Sequence, residues 1–185
     1  MDRRAFLHKA GLGSLAVASL PALTTAAWAD GGQTTFHFVA LSQAPAVGSV
    51  VPRTNMSGTG QVNPSRVVGQ GSFNIFDNAS PVPRTLLAFG TWKAKRLVTF
   101  DLIGAYGALA AGVLGLEVHL VREFPSPAVL PATLQIICNL GAAGLSTGQP
   151  EGFTLSIPDS PFGPFVPLHP EMGITIFTVL VEQRD

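Results

Sequence analysis

The sequence predicts a single all-β domain, a β-sandwich or barrel-like fold of about eight antiparallel strands. Three observations carry that expectation. Apolar residues recur at every second position in several short segments. The 20 glycines and 15 prolines fall between those segments, which suits many turns rather than long helices. Charged residues make up 12% of the 185 and hydrophobic ones 46%. Ordinary domains carry about 25% charge, so this chain has full core material and is not a disordered polymer. At about 150 residues per domain, one domain is expected.

Residues 1–29 are set apart as an export signal and residues 30–185 as the folded domain. The chain opens Asp2-Arg3-Arg4-Ala5-Phe6-Leu7-His8-Lys9, continues through a weakly apolar stretch from Ala10 to Leu23, and reaches Ala27-Trp28-Ala29 just before Asp30. Arg3, Arg4, Phe6 and Leu7 resemble the twin-arginine (Tat) export signals, whose pattern is Ser/Thr-Arg-Arg-x-Phe-Leu-Lys. Asp2 stands where that pattern has Ser/Thr, and His8 where it has Lys, with Lys9 one place late. The resemblance implies a protein exported in the folded state from a bacterium-like cell, to the periplasm or beyond. Gly11, Gly13, Ser14, Ser19 and Pro21 make the apolar stretch a poor permanent anchor. Ala27 and Ala29 supply the small residues that a signal peptidase requires. Cleavage after Ala29 leaves a net charge of −2 with His neutral.

Along the domain, Thr34 to Leu41 is the first expected strand, followed by a long loop from Ser42 to Gly60. Val67 to Phe76 and Leu86 to Thr91 come next. In Trp92 to Asp101 the alternation sets Trp92, Ala94, Arg96, Val98 and Phe100 against Lys93, Lys95, Leu97, Thr99 and Asp101. Tyr106 to Leu114 is alanine-rich, but Gly107 and Gly112 each weaken a helix by about 1 kcal/mol. It reads as an irregular link. From Leu114 to Arg122, Leu114, Leu116, Val118 and Leu120 share one face, with Glu117 and His119 on the other. Leu134, Ile136, Cys138 and Leu140 form another such face, and so do Phe153, Leu155 and Ile157. Ile174 to Val181 is apolar on both faces, which predicts a central strand covered on both sides. Gly71-Ser72-Phe73 and Gly90-Thr91-Trp92 each put a glycine beside an aromatic that plugs the core. No stretch is an apolar helix of about 20 residues, so the domain has no expected membrane-spanning helix.

Chemistry-bearing residues are sparse. Gly144-Leu145-Ser146-Thr147-Gly148 fits G-x-S-x-G, with Asp159 and His169 following in hydrolase order. The helix that should open behind such a serine is missing, and a glycine-rich loop explains the residues better. His37, His119 and Glu117 are the conceivable metal ligands, but no metal-binding spacing is present. Cys138, the one cysteine, excludes a disulfide framework and alternates with core residues, as a buried thiol does. Lys93, Lys95 and Arg96 form the one basic cluster, suited to an anion, an acidic lipid, or a protected strand edge. Phosphate-binding glycine loops are absent, and the balance of 11 basic against 11 acidic residues excludes a generally basic nucleic-acid binder. No catalytic, cofactor-binding or metal-binding residue is assigned, and the cofactor is unknown.

The stretch Pro158 to Pro170 contains five prolines with Phe162, Phe165, Val166 and Leu168 among them. These apolar residues either fold back over an open end of the domain or form a surface for self-association or a protein partner through residues 160–169. The sequence therefore points to an exported, non-enzymatic binding or structural module. The competing expectations are a small barrel enzyme, with Trp92, Phe100 and Tyr106 around a pocket carrying Glu117 and His119, and a periplasmic metal-binding protein.

Overall fold

A computed structural model describes residues 32–169 and 172–180. Arg3, Arg4, Phe6, Leu7, Ala27 and Ala29, expected to belong to an export signal, lie outside the described residues. The domain is built from nine strands: β1 (Gln33–Gln43), β2 (Pro52–Asn63), β3 (Arg66–Asp77), β4 (Leu86–Tyr106), β5 (Leu109–Phe124), β6 (Ala128–Cys138), β7 (Gly152–Ser156), β8 (Val166–Pro167) and β9 (Gly173–Leu180). A helical turn, Gly141–Gly144, and a 3₁₀ turn, Leu145–Thr147, link β6 to β7. All the strand pairings are antiparallel.

One sheet closes on itself. Strands β1 to β5 pair in succession, and two routes lead from β5 back to β1. At one end Leu109 and Ala110 of β5 pair with Thr178 and Phe177 of β9, which pairs with β1 along its whole length. At the other end β6 and β7 are interposed, and Leu155 of β7 bridges to Phe165, directly before β8, which pairs with Ser42 and Gln43 of β1. The Ser42 hydroxyl also donates to the Phe153 carbonyl at 2.6 Å. The ring thus counts six strands by way of β9, with β3 and β4 parted beyond Gln70–Lys93, and eight by way of β6, β7 and β8. Barrel girth grows with strand number, so the second end is the wider one.

The interior follows the alternation expected from sequence where the strands are regular. Leu114, Leu116, Val118 and Leu120 of β5, Leu134, Ile136 and Cys138 of β6, and Phe153 and Leu155 of β7 are all buried. Strand β2 occupies residues expected to be a loop. Its inward positions are Pro52, Thr54, Met56, Gly58, Gly60 and Val62, and glycines at two of the six hide the alternation from a hydropathy reading. Gly58 is glycine because Trp92 of β4 lies over it, and Gly60 because the Phe36 ring of β1 and the Val68 carbonyl do. In register, Phe38, Gly58, Gly71 and Trp92 cross four adjacent strands. A Cβ on Gly58 would run into the Trp92 and Phe38 rings, and one on Gly71 into the Ser57 carbonyl and the indole. Trp92 is fully buried and its indole N–H donates to the Ser57 carbonyl at 2.8 Å.

Three further expectations are corrected. Tyr106 to Leu114 is not an irregular link but the tip of the β4–β5 hairpin, where Tyr106 pairs with Leu109 across Gly107, which takes the positive φ (65°) of a two-residue turn. Strand β4 does not keep one alternation. Its register against β5 shifts between Ala94 and Arg96, again between Leu97 and Thr99, and again between Leu102 and Gly104. The added residues turn Leu97 toward the core and leave Arg96 and Val98 exposed. Strand β9 lies between β1 and β5 but is covered on one side. Thr175, Phe177 and Val179 are buried, while Ile174 is 65% exposed and Ile176 and Leu180 also face outward.

The barrel interior also holds three threonine hydroxyls. Thr34, Thr54 and Thr175 are buried and their Oγ1 atoms find no hydrogen-bond partner among the described residues. Each such atom costs about 1–3 kcal/mol. Replacing Thr54 by isosteric Val therefore raises stability by about 1 kcal/mol, whereas Gly71→Ala lowers it by about 1–3 kcal/mol through overpacking against fixed backbone. Urea unfolding of the two variants beside the parent domain measures both signs.

Candidate functional site

The wide end of the barrel holds a cavity of about 460 Å³. Its wall comes from four strands: Phe73 and Ile75 of β3, Leu87 and Ala88 of β4, Leu120 and Arg122 of β5, and Leu130 and Pro131 of β6. The segment after β7, from Ile157 to Phe162, closes one side of it. Apolar atoms dominate the lining, with Arg122, Asp159 and Ser160 as its polar residues.

Arg122 is there by strand geometry. It continues the inward series of β5 by one more step of two, beyond the last core leucine. Its Nε donates to the Ser126 carbonyl at 2.9 Å and its Nη2 to the Ser126 hydroxyl at 3.1 Å. That pins the guanidinium at the rim while leaving other N–H groups for a ligand. Its signal in the sequence is a charge at the next inward position after Leu120, where the strand runs out.

The proline-rich segment forms the lid by packing. Phe165 is buried, and Phe162 meets it edge-on with ring centroids 6.4 Å apart. Between β7 and Phe162, the chain turns at Ile157–Ser160, where the Ser160 N–H donates to the Ile157 carbonyl at 3.3 Å. Pro158 fixes the first corner and Asp159 takes a left-handed φ of 59°. The Ser160 hydroxyl then accepts the Phe162 N–H at 3.1 Å. Of the four apolar residues noted in this stretch, Phe162 and Phe165 fold back over the barrel end, while Val166 is exposed.

The other candidates are not assembled. Asp159 lines the cavity, but Ser146 is exposed in the 3₁₀ turn and neither it nor His169 belongs to the cavity wall. Glu117 and His119 share the outer face of β5. Glu117 is taken up by a bidentate ion pair with Arg96 across the β4–β5 ladder. The Arg96 guanidinium holds the Glu117 carboxyl below its ordinary range, and Glu117 in turn raises Arg96. The pair therefore persists above the usual carboxylate pKa and is lost as pH falls through the lowered one, though exposed ions of this kind add little to stability. His37 is exposed on β1, opposite Thr59 and Ile176. No group of three or more His, Cys, Asp or Glu that could hold a metal ion occurs among the described residues. Among the described residues, no helix is long and apolar enough to cross a membrane.

Lys93, Lys95 and Arg96 are all exposed on β4. Lys93 sits within the β3–β4–β5 ladder, opposite Gln70 and His119. Lys95 and Arg96 lie beyond the point where β3 and β4 stop pairing, on an open strand edge. Cys138 is buried with its Sγ donating to the Thr175 carbonyl at 3.1 Å, and burial pushes its thiol pKa up. Compared with known families, with curated proteins and with solved structures, the chain matches none.

A raised pKa and a closed wall together keep Cys138 unreactive. Ellman's reagent at pH 8 should label the native domain about a hundredfold more slowly than the unfolded chain, since attack needs an exposed thiolate. Rapid labelling of the folded protein would show that the barrel opens at β6.

Proposed function

We propose that this is an exported binding module, and that the wide mouth of the barrel takes one small apolar molecule with a hydrogen-bond acceptor at the Arg122 end. The observation that carries the reading is the mouth cavity itself. Its size is within the ~300–1,000 Å³ range of ligand sites, its lining is mostly apolar, and its polar groups are few and fixed, as in other barrel-mouth sites. The Tat-like segment Arg3-Arg4-x-Phe6-Leu7, with Ala27 and Ala29 at the cut, supports delivery to the periplasm or medium of a bacterium. A mouth held by strands and prolines can form in the cytoplasm and survive transport in the folded state. Binding rather than catalysis is favoured because Arg122 is committed to Ser126 and the other titratable candidates stand apart. Val166, exposed beside the lid, leaves residues 160–169 a secondary role in protein contact.

The test uses residues 30–185 and the uncharged probe N-phenyl-1-naphthylamine. Its fluorescence should rise saturably at one probe per chain. Leu130→Trp, which fills the mouth, should remove the signal, and Ile174→Ser on the outer face of β9 should leave it unchanged. Undiminished binding by the Leu130→Trp domain, or loss on Ile174→Ser, refutes the mouth as the site.

A further inference from the structure

The barrel wall has a second opening, independent of the mouth. Strands β3 and β4 pair from Gln70 with Lys93 to Phe76 with Leu86 and no further. Beyond Lys93 the bulges of β4 carry it away with β5, so Arg66 to Gly69 of β3 and the run of β4 from Lys95 onward face one another unpaired. The resulting cleft has a volume of about 620 Å³. Its outer lips are cationic, with Arg66 on one side and Lys95 and Arg96 on the other. Its floor is apolar, formed by Val67, Leu97 and Phe100, which are half-buried and packed against the core.

The charges on these lips are not balanced locally. Glu117 neutralises Arg96, and no other ion pair occurs among the described residues. Arg66 and Lys95 line the cleft without an ion pair among the described residues. Strand edges left open also present backbone N–H groups, which add donors for an oxyanion. A site that sets two uncompensated cations above a hydrocarbon floor selects a ligand with both features.

We propose that the β3–β4 cleft binds an anionic amphiphile, with its carboxylate or phosphate head between Arg66 and Lys95 and its acyl chain on Val67, Leu97 and Phe100. Bulges are frequent where a strand must re-aim side chains beside a binding site, and here they both open the wall and bring Leu97 inward. This site stands whether or not the mouth binds a ligand.

Isothermal titration of the 30–185 domain with decanoate and with decyl phosphate, below their micelle concentrations, tests the proposal. It is run on the parent and on the Leu130→Trp variant, so that the mouth does not contribute. Both amphiphiles should bind the Leu130→Trp variant at one site, and the parent at that site with or without a second one in the mouth. Inorganic phosphate and decyltrimethylammonium should bind at least tenfold more weakly, each lacking one of the two features. Decanoate alone binding identifies a carboxylate site, and decyl phosphate alone a phosphate site; either outcome supports the cleft. The double substitution R66Q/K95Q should weaken binding about tenfold or more, with R66K/K95R retaining it. Both pairs lie at exposed positions, and an unchanged melting temperature confirms the fold. Equal binding of decyltrimethylammonium, equal binding of inorganic phosphate, or full affinity in R66Q/K95Q would overturn it.

Discussion

The placement of Trp92 over Gly58 and Gly71 is the constraint on which the rest of the barrel depends. A six- to eight-stranded ring leaves an interior that side chains must fill at crystalline density. Here β2 and β3 contribute glycines and β1 and β4 contribute aromatics, so the volume missing on one wall is supplied by the facing one. Phe38 touches both partners, with its ring centroid 6.0 Å from that of Trp92 and 5.8 Å from that of Phe153 on β7. The contact from β4 through β1 to β7 thus crosses the barrel. Because the indole N–H is anchored on the Ser57 carbonyl, the tryptophan cannot slide along β2, and the register of three strands is fixed by one side chain.

Strand β4 then decides the asymmetry. Its first half is locked between β3 and β5, and its second half belongs to β5 alone. Three register shifts within about ten residues increase the local twist, and the hairpin tip swings over to where β5 reaches β9. Phe100 follows that swing and meets Phe177 of β9 at a near-perpendicular 79°, with centroids 5.7 Å apart. The narrow end is therefore closed by the same distortion that opens the wall between β3 and β4. Lys95 and Arg96 on the freed edge keep it from pairing with another strand.

How far the sequence foretold this depended on what filled each face. Strand β5 was legible because every inward position from Leu114 to Leu120 is a large aliphatic. Strand β2 was not, because its inward space is filled by rings that belong to β1 and β4, and a hydropathy pattern cannot register volume borrowed from another strand. Strand β4 misled by the same logic, since three inserted residues break a period of two that is counted along the chain alone. The two apolar faces of β9 correctly placed it between neighbours but not under a cover, because Ile174 and Ile176 look outward on a closed ring that has no second layer. Of the candidate site, Asp159 stands out in the sequence only beside Ser146 and His169, and Arg122 only as the next inward position after Leu120.

The cavity at the wide end is maintained by geometry rather than by a ligand. Besides Pro125 of the β5–β6 turn, four of its five contributing segments are strands whose backbone bonds are made within the ring, so collapse would break ladder pairs. The fifth, the lid, is anchored at both ends, by the Ile157–Ser160 turn and by Phe165, which exchanges two 2.9 Å hydrogen bonds with Leu155. Prolines 158, 161 and 164 reduce the conformations open to the intervening residues, and the left-handed Asp159 directs the chain across the mouth instead of along it. The interposition of β6, β7 and β8 between β5 and β1 therefore does two things at once. It widens the ring enough to leave space above Phe73 and Leu120, and it supplies the rigid segment that bounds that space.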